Sequence, residues 1–196
     1  MHLELLVEEP SAEAALDILL PSILPAGFTY AIHPHQGKQS LLKNLPSRLA
    51  GYDSQSLDDT AICVLVDRDT DNCQTLKQAV IDIAQNATLS VLVRIAIEEL
   101  EAWFFGDVPA IGRAYPGADH WIRSRHQYRD PDAITGGTAD MLGRALRRAG
   151  YHRGGLPKVA AAARIAREMD VDNNSSHSFT IFRDGLRHRL ASAKGA

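Results

Sequence analysis

The sequence predicts an α/β domain with a mainly parallel central sheet flanked by helices, followed by a helical and irregular C-terminal appendage. Three observations predict it. AICVLV (61–66) and SVLVRIAI (90–97) are apolar, β-branched runs, the pattern of strands covered on both faces. Strand-like and helix-like segments alternate along the first half of the chain, as in successive βα units. Each of three strand-like runs then stops abruptly at acidic residues. In an open α/β sheet, ligands bind at the carboxyl ends of the strands.

The elements follow in order. HLELLV (2–7) reads as the first strand and ends at Glu8, Glu9 and Pro10. Ser11 is a good helix N-cap, and Ala12 to Leu20 reads as helix with Pro21 near its end. Phe28 to His33 is a second strand, His35 to Lys38 a turn, and Ser40 to Leu49 a second helix. Gly51 to Thr60 is polar and reads as a loop. The run 61–66 is the third strand, ending in Asp67, Arg68, Asp69, Thr70, Asp71 and Asn72; Cys73 to Ala84 is helical, and Asp69 or Asp71 is a candidate cap for it. The run 90–97 is the fourth strand, leading into a helix-compatible stretch from Glu98 to Phe104.

Beyond about residue 107 the texture changes. Gly, Pro, Arg and Tyr become common, and apolar strands vanish. Two short helices are expected there, Ala139 to Ala149 and Pro157 to Met169, with fraying from Ala191 to Ala196. The 196 residues suit one domain with an appendage. The division expected is an α/β core over 1–107 and a basic helix-and-loop extension over 108–196, packed on that core.

Composition excludes several classes. Hydrophobic residues at 45% and charged residues at 23% support a packed core rather than a disordered chain. The N-terminus has neither a basic region nor a long apolar run, and no stretch is apolar enough to span a bilayer. Cys63 and Cys73 form neither a disulfide framework nor a metal-knuckle spacing. A cytoplasmic protein without a membrane partner is expected. The net charge of −3 hides an asymmetry: residues 1–110 hold 6 basic and 16 acidic residues, residues 111–196 hold 15 and 8. That pattern suits a metal site beside a phosphate-binding surface, and equally two differently solvated faces.

The acids carry the chemistry. Glu8, then Asp67 and Asp69, then Glu98, Glu99 and Glu101 end three separate strands. So many like charges on one edge repel and call for a counter-ion. Mg²⁺ or Mn²⁺ suits carboxylate oxygens. Asp67 and Asp69 are two residues apart, so an extended chain points both toward one ion. Singly, each acid reads equally as a cap, a turn residue or a solvated side chain. Lys38 after Gly37 is a candidate phosphate contact, although the full phosphate-loop pattern is absent. Arg68, Arg144, Arg148 and Lys158 are further candidates for a phosphodiester backbone. Trp103, Phe104 and Phe105 read as core, with base stacking as the alternative.

A strand ending in Glu and a later strand ending in Asp-x-Asp resembles the Toprim pattern of topoisomerases, primases, overcoming-lysogenization-defect nucleases and maturase-type RNases. The matching stretches are LELLVEEPSAEAAL and ICVLVDRDTDNC. More narrowly, VEEPSAEAALDILLP, HQGKQSLLKNLPSRLAGY, VLVDRDTDNCQTLK, VRIAIEELEAWFFGD and the tail from PKVAAAARIA to NNSSHSFTIF resemble a small bacterial Toprim-like family of unknown function. The resemblance covers most of the chain. It implies Glu8 as general base or metal ligand, Asp67 and Asp69 as the pair holding Mg²⁺, and Glu98, Glu99 and Glu101 as a third acidic contribution. Lys158 corresponds loosely to a late lysine of the nuclease members. The resemblance also implies a neighbouring ABC- or AAA-type ATPase and a role in phage defence. Two departures stand out: Glu9 and Pro10 follow the first glutamate where Toprim proteins commonly place Gly, and Ala12 stands where some nuclease versions carry an acid, with Glu13 beside it.

The expectation is a Mg²⁺- or Mn²⁺-dependent phosphodiesterase acting on DNA or RNA, with Glu8, Asp67 and Asp69 at its centre. The alternative is a non-catalytic or conditionally active Toprim-like subunit that regulates a partner ATPase. A third reading is a nucleotide or phosphoryl-transfer enzyme with Lys38 at the phosphate. A homodimer is an open option.

Overall fold

The computed structural model describes residues 1–55 and 59–193. Four parallel strands form one sheet: β1 (His2–Val7), β2 (Thr29–Pro34), β3 (Thr60–Asp67) and β4 (Val91–Ala96), in the order β2-β1-β3-β4. The helices that join them are α1 (Pro10–Ile23), α2 (Lys38–Ser54) and α3 (Cys73–Ala84). The α/β class and the parallel sheet read from the sequence are therefore present.

The alternation of side chains along a strand splits the core in two. Leu6 of β1, Ile62, Val64 and Val66 of β3 and Val93 of β4 pack with Leu41, Leu45 and Leu49 of α2 and with Leu76 and Val80 of α3. The opposite face presents Leu3, Leu5, Val7, Cys63 and Leu65 to α1 and to the C-terminal helices. The β1–β2 connection thus crosses on one face of the sheet, and the β2–β3 and β3–β4 connections on the other. The gap between the carboxyl ends of β1 and β3 is a topological switch point, the place where α/β sheets open a crevice.

The C-terminal part is more helical than its composition suggested. It contains α4 (Ala102–Phe105), α5 (Val108–Ala114), α6 (Ala118–Arg123), α7 (Thr138–Arg148), α8 (Lys158–Ala166) and α9 (His177–Ala193). Trp103, Phe104 and Phe105 are buried in the cluster beneath the sheet, so they are core and not a stacking surface. Trp103 packs against Phe179 and Phe182 with ring centroids 5.2 and 5.0 Å apart, and donates its indole N–H to Ser178 Oγ.

Local readings shift for identifiable reasons. Ser11 does not cap α1; Pro10 takes the first helical position, where its missing N–H costs nothing, and Ser11 donates to Glu9 instead. Helix α2 runs on to Ser54, through part of the expected loop, because Leu41, Leu45, Leu49 and Tyr52 share its buried face and the Tyr52 hydroxyl donates to Glu4. The rest of that expected loop includes residues 56–58, which lie outside the described residues. Neither Asp69 nor Asp71 caps α3; Asn72 Oδ1 accepts from the backbone N–H of Gln74 and Thr75, both at 3.1 Å. The helix expected from Glu98 is delayed to Ala102, because Glu98 adopts φ +61°. Helix α9 begins at His177 within a polar stretch, its Ser178 N–H held by Asp132 Oδ2 at 3.0 Å. The expected fraying falls partly on 194–196, outside the described residues; 191–193 are helical.

Candidate functional site

The carboxyl edge of the sheet is organised around Glu8, which directly follows β1. Its carboxylate accepts hydrogen bonds from the backbone N–H of Lys38, at the start of α2 (2.9 Å), and of Asp67, at the end of β3 (3.1 Å). Gly37, at φ +90°, lets the β2–α2 loop fold back so that its own N–H reaches the Glu8 carbonyl at 3.0 Å. Glu8 thus serves as an anion at a helix N-terminus and as a tie between β1 and β3. It is buried, and desolvation raises its pKa above the usual carboxylate range, ahead of the opposing backbone hydrogen bond from Asp67.

Asp67 and Glu101 complete the inner group. Burial pushes the Asp67 pKa well up, and the charges of Glu101, Glu8, Asp69 and Glu99 push it further. Glu101 is 3% exposed, and its pKa is raised to about 7, chiefly by desolvation and against the pull of Lys158. Glu8 and Glu101 therefore lie close enough to disfavour the charge of Asp67, the three standing at the ends of β1 and β3 and in the turn after β4.

The chain does not stay extended past Asp67. Arg68 donates its N–H to the Ala96 carbonyl, and Asp69 its own to the Glu98 carbonyl at 2.7 Å. Both Asp69 (φ +50°) and Glu98 (φ +61°) are left-handed. For a non-glycine residue that conformation is uncommon and carries strain. The turn swings the Asp69 carboxylate onto Lys38 Nζ, at 2.8 Å. The expectation that spacing alone would aim Asp67 and Asp69 at one point is corrected by this turn.

The remaining candidates divide into rim and frame. Lys38 Nζ contacts Asp71 at 2.7 Å as well as Asp69, and donates to the Arg68 carbonyl. Arg68 pairs with Glu98 at 3.4 Å. Lys158, the first residue of α8, pairs with Glu9 at 3.1 Å and feels the charges of Glu101 and Glu99. Glu99 is a helix cap: its Oε2 accepts from Ala139 N–H (2.7 Å) and Thr138 Oγ1 (3.1 Å), holding the N-terminus of α7. Arg144 and Arg148 lie further along α7 and line a separate cavity. Among the described residues, no three of His, Cys, Asp and Glu stand around a common point in ligating geometry.

Cys63 is fully buried in β3, and desolvation raises its thiol to about 12, so it is unreactive packing. No helix among the described residues is long and apolar enough to cross a membrane.

Residues 7–187 match the model of the Domain of unknown function DUF4276. The chain belongs to this family. The match runs from the last residue of β1 into α9, so it takes in the acidic edge, β2 to β4 and most of the C-terminal helices. No curated protein and no solved structure matches the chain significantly.

Sequence reasoning missed several participants. Asp71 and Glu9 answer the two lysines of the rim, and Thr138 joins the Glu99 cap. Trp121, Arg125 and Tyr128 share a cavity with the α7 arginines. The aromatic and basic interleaving of WIRSRHQYR (121–129) was the available signal for that last group.

Proposed function

We propose that this chain is a divalent-metal-dependent nuclease of Toprim type, hydrolysing phosphodiesters of DNA or RNA. The observation that supports it is the group of three buried or half-buried carboxyls with raised pKa values at the switch point: Glu8, Asp67 and Glu101. The two nearby lysines are engaged at the rim, Lys38 by Asp69 and Asp71 and Lys158 by Glu9. The inner carboxyls keep raised pKa values because burial outweighs the nearby lysine charges, an arrangement that a bound cation would relieve.

The donor set fits Mg²⁺ or Mn²⁺, which prefer hard carboxylate oxygens. Asp67, Glu8 and Glu101 would hold the ion, with Asp69 reaching it after leaving Lys38. A cation there would offset the charges of Glu101, Glu8 and Asp69 that act on Asp67. A bound ion would activate water and polarise the phosphoryl oxygen. Around it, Glu8 is fixed by two backbone N–H groups, Lys158 and Arg68 present positive charge beside the acids, and the arginines of α7 extend that charge along the surface. By its resemblance to defence-associated Toprim proteins, the chain would act with a neighbouring ABC- or AAA-type ATPase in phage defence.

A second reading is favoured by one observation. Lys38 Nζ occupies the Asp69 carboxylate, so an internal cation holds part of the site. That suits a Toprim-like subunit that is non-catalytic, or becomes active only when a partner withdraws Lys38.

Calorimetric titration with Mn²⁺ and Mg²⁺, followed by cleavage assays on single- and double-stranded DNA and RNA, tests both. Saturable binding and metal-dependent cleavage, both lost in Asp67→Ala, support the nuclease. Metal binding without cleavage, with cleavage appearing in Lys38→Met or on adding the ATPase, supports the conditional subunit. No binding to the folded protein overturns the metal reading.

A further inference from the structure

A second, basic site lies away from the acids. Trp121, Arg125, Tyr128, Arg144, Arg147 and Arg148 line a solvent-open cavity of about 600 Å³, within the range of ligand pockets. A second cavity of about 410 Å³ shares Arg125 and Tyr128 with it and adds Arg123, Arg129 and Ser175. The two adjoin at Arg125 and Tyr128, giving a basic groove with a shared wall. Among the described residues no carboxylate lines either part. Arg123 pairs with Asp119, but Arg125, Arg144, Arg147 and Arg148 form no ion pair among the described residues. Such a concentration of unpaired guanidinium charge raises the local affinity for a polyanion.

The aromatic groups narrow the class. The guanidiniums of Arg148 and Arg125 lie 5.2 and 5.6 Å from the Trp121 ring centroid, and Trp121 and Tyr128 are 5.4 Å apart. Guanidinium planes and aromatic rings are the surfaces on which unpaired bases stack.

We propose that this groove binds single-stranded nucleic acid, with phosphates on the arginines of α7 and bases against Trp121 and its stacked guanidiniums. The choice of nucleic acid over an acidic polypeptide rests on the nuclease reading. Helix α7 sets the spacing: its N-terminus is fixed to the acidic centre by Glu99. At 1.5 Å per residue, Arg144 lies about 8 Å and Arg148 about 14 Å along the helix from that anchor at Ala139. Arg144 and Arg148 therefore stand within the length of a few nucleotides of the Glu99 anchor.

The test is fluorescence anisotropy with a labelled 15-mer of thymidylate in EDTA, where no metal-dependent cleavage occurs. Wild type, Arg144→Glu/Arg148→Glu and Trp121→Phe are compared, each checked for folding by circular dichroism. Binding weakened at least tenfold in the double variant, with the slope of log affinity against log salt reduced by about 1.4 for the two lost contacts, supports the groove, as does weaker binding by Trp121→Phe. Equal binding by the folded double variant, no binding by wild type at low salt, tighter binding of a blunt duplex of equal length, or full competition by polyglutamate each overturns it. Binding in EDTA is read separately from cleavage in Mn²⁺. Binding without any cleavage therefore leaves the groove standing and counts against the nuclease, whereas cleavage with equal binding by the double variant does the reverse.

Discussion

The carboxylate of Glu8 accepts a hydrogen bond from the backbone N–H of Asp67, so the end of β1 fixes the residue that ends β3. One side chain ties two strands and the start of α2 together, and it does so at the acidic carboxyl edge of the sheet. Structure and proposed chemistry therefore share residues, and substitutions will separate them.

Removing that tie should cost stability. Glu8→Ala leaves the N–H groups of Lys38 and Asp67 without their acceptor and is expected to destabilise by about 2–3 kcal/mol. Glu8→Gln keeps one carbonyl acceptor and sheds a desolvated charge, so its cost should stay below about 1 kcal/mol. Urea unfolding followed by circular dichroism ranks the two; equal losses would show that the tie contributes nothing.

Asp67 should behave in the opposite way. Desolvation and the charges of Glu101, Glu8, Asp69 and Glu99 all disfavour its ionised form. Asp67→Asn should therefore stabilise the metal-free protein by about 1 kcal/mol, a rise in Tm of about 3 °C. Under the metal reading, the same variant should lose the stabilisation of about 2.7 kcal/mol that wild type gains at Mn²⁺ one hundred times its Kd. Thermal scans with EDTA and with Mn²⁺ give both numbers, and a lowered Tm in EDTA would contradict the repulsion argument.

The pH dependence follows from Glu101, whose pKa is raised from 4.5 to about 7. Below pH 4.5 the group is protonated whether the chain is folded or not. Between 4.5 and 7 the unfolded chain releases the proton and the folded one retains it, so stability falls as pH rises across this window, then levels off. The total is roughly 3 kcal/mol, and Glu101→Gln should flatten the curve. Unfolding free energies in EDTA from pH 4 to 8 measure it; the same slope in the variant would assign the effect to other groups.

Glu99 carries a prediction confined to one helix. Its Oε2 holds the Ala139 N–H at 2.7 Å, and Glu99→Ala should cost about 1 kcal/mol, as for other lost caps. The loss should appear as faster amide hydrogen exchange in the first turn of α7, with the sheet amides unchanged. Uniformly faster exchange would mean that the residue supports the whole core.

The acids expected to hold a metal show where sequence patterning stops. All six predicted acids do come to one edge, because parallel strands deliver their ends together. Their roles were not legible. Glu99 is spent on α7, forty residues away in sequence. Asp69 is turned onto Lys38 by a left-handed backbone that no spacing rule anticipates. The arginines of α7 were visible as a basic face, but their meeting with Trp121 depended on how α6 and α7 pack.

By itself, the sequence determined the strands, their parallel arrangement and the acidic character of their ends. Apolar runs, β-branching and abrupt charge are local signals, and burial on two faces leaves little choice of how they are met. The tertiary structure decided which acids face one another, which lysine neutralises which carboxylate, and where the C-terminal helices cap and cover the sheet. Those outcomes depend on contacts between residues distant in the chain, such as Lys158 with Glu9 and Ser178 with Asp132. A side chain's partner is fixed by packing in three dimensions, and periodicity along one dimension does not contain it.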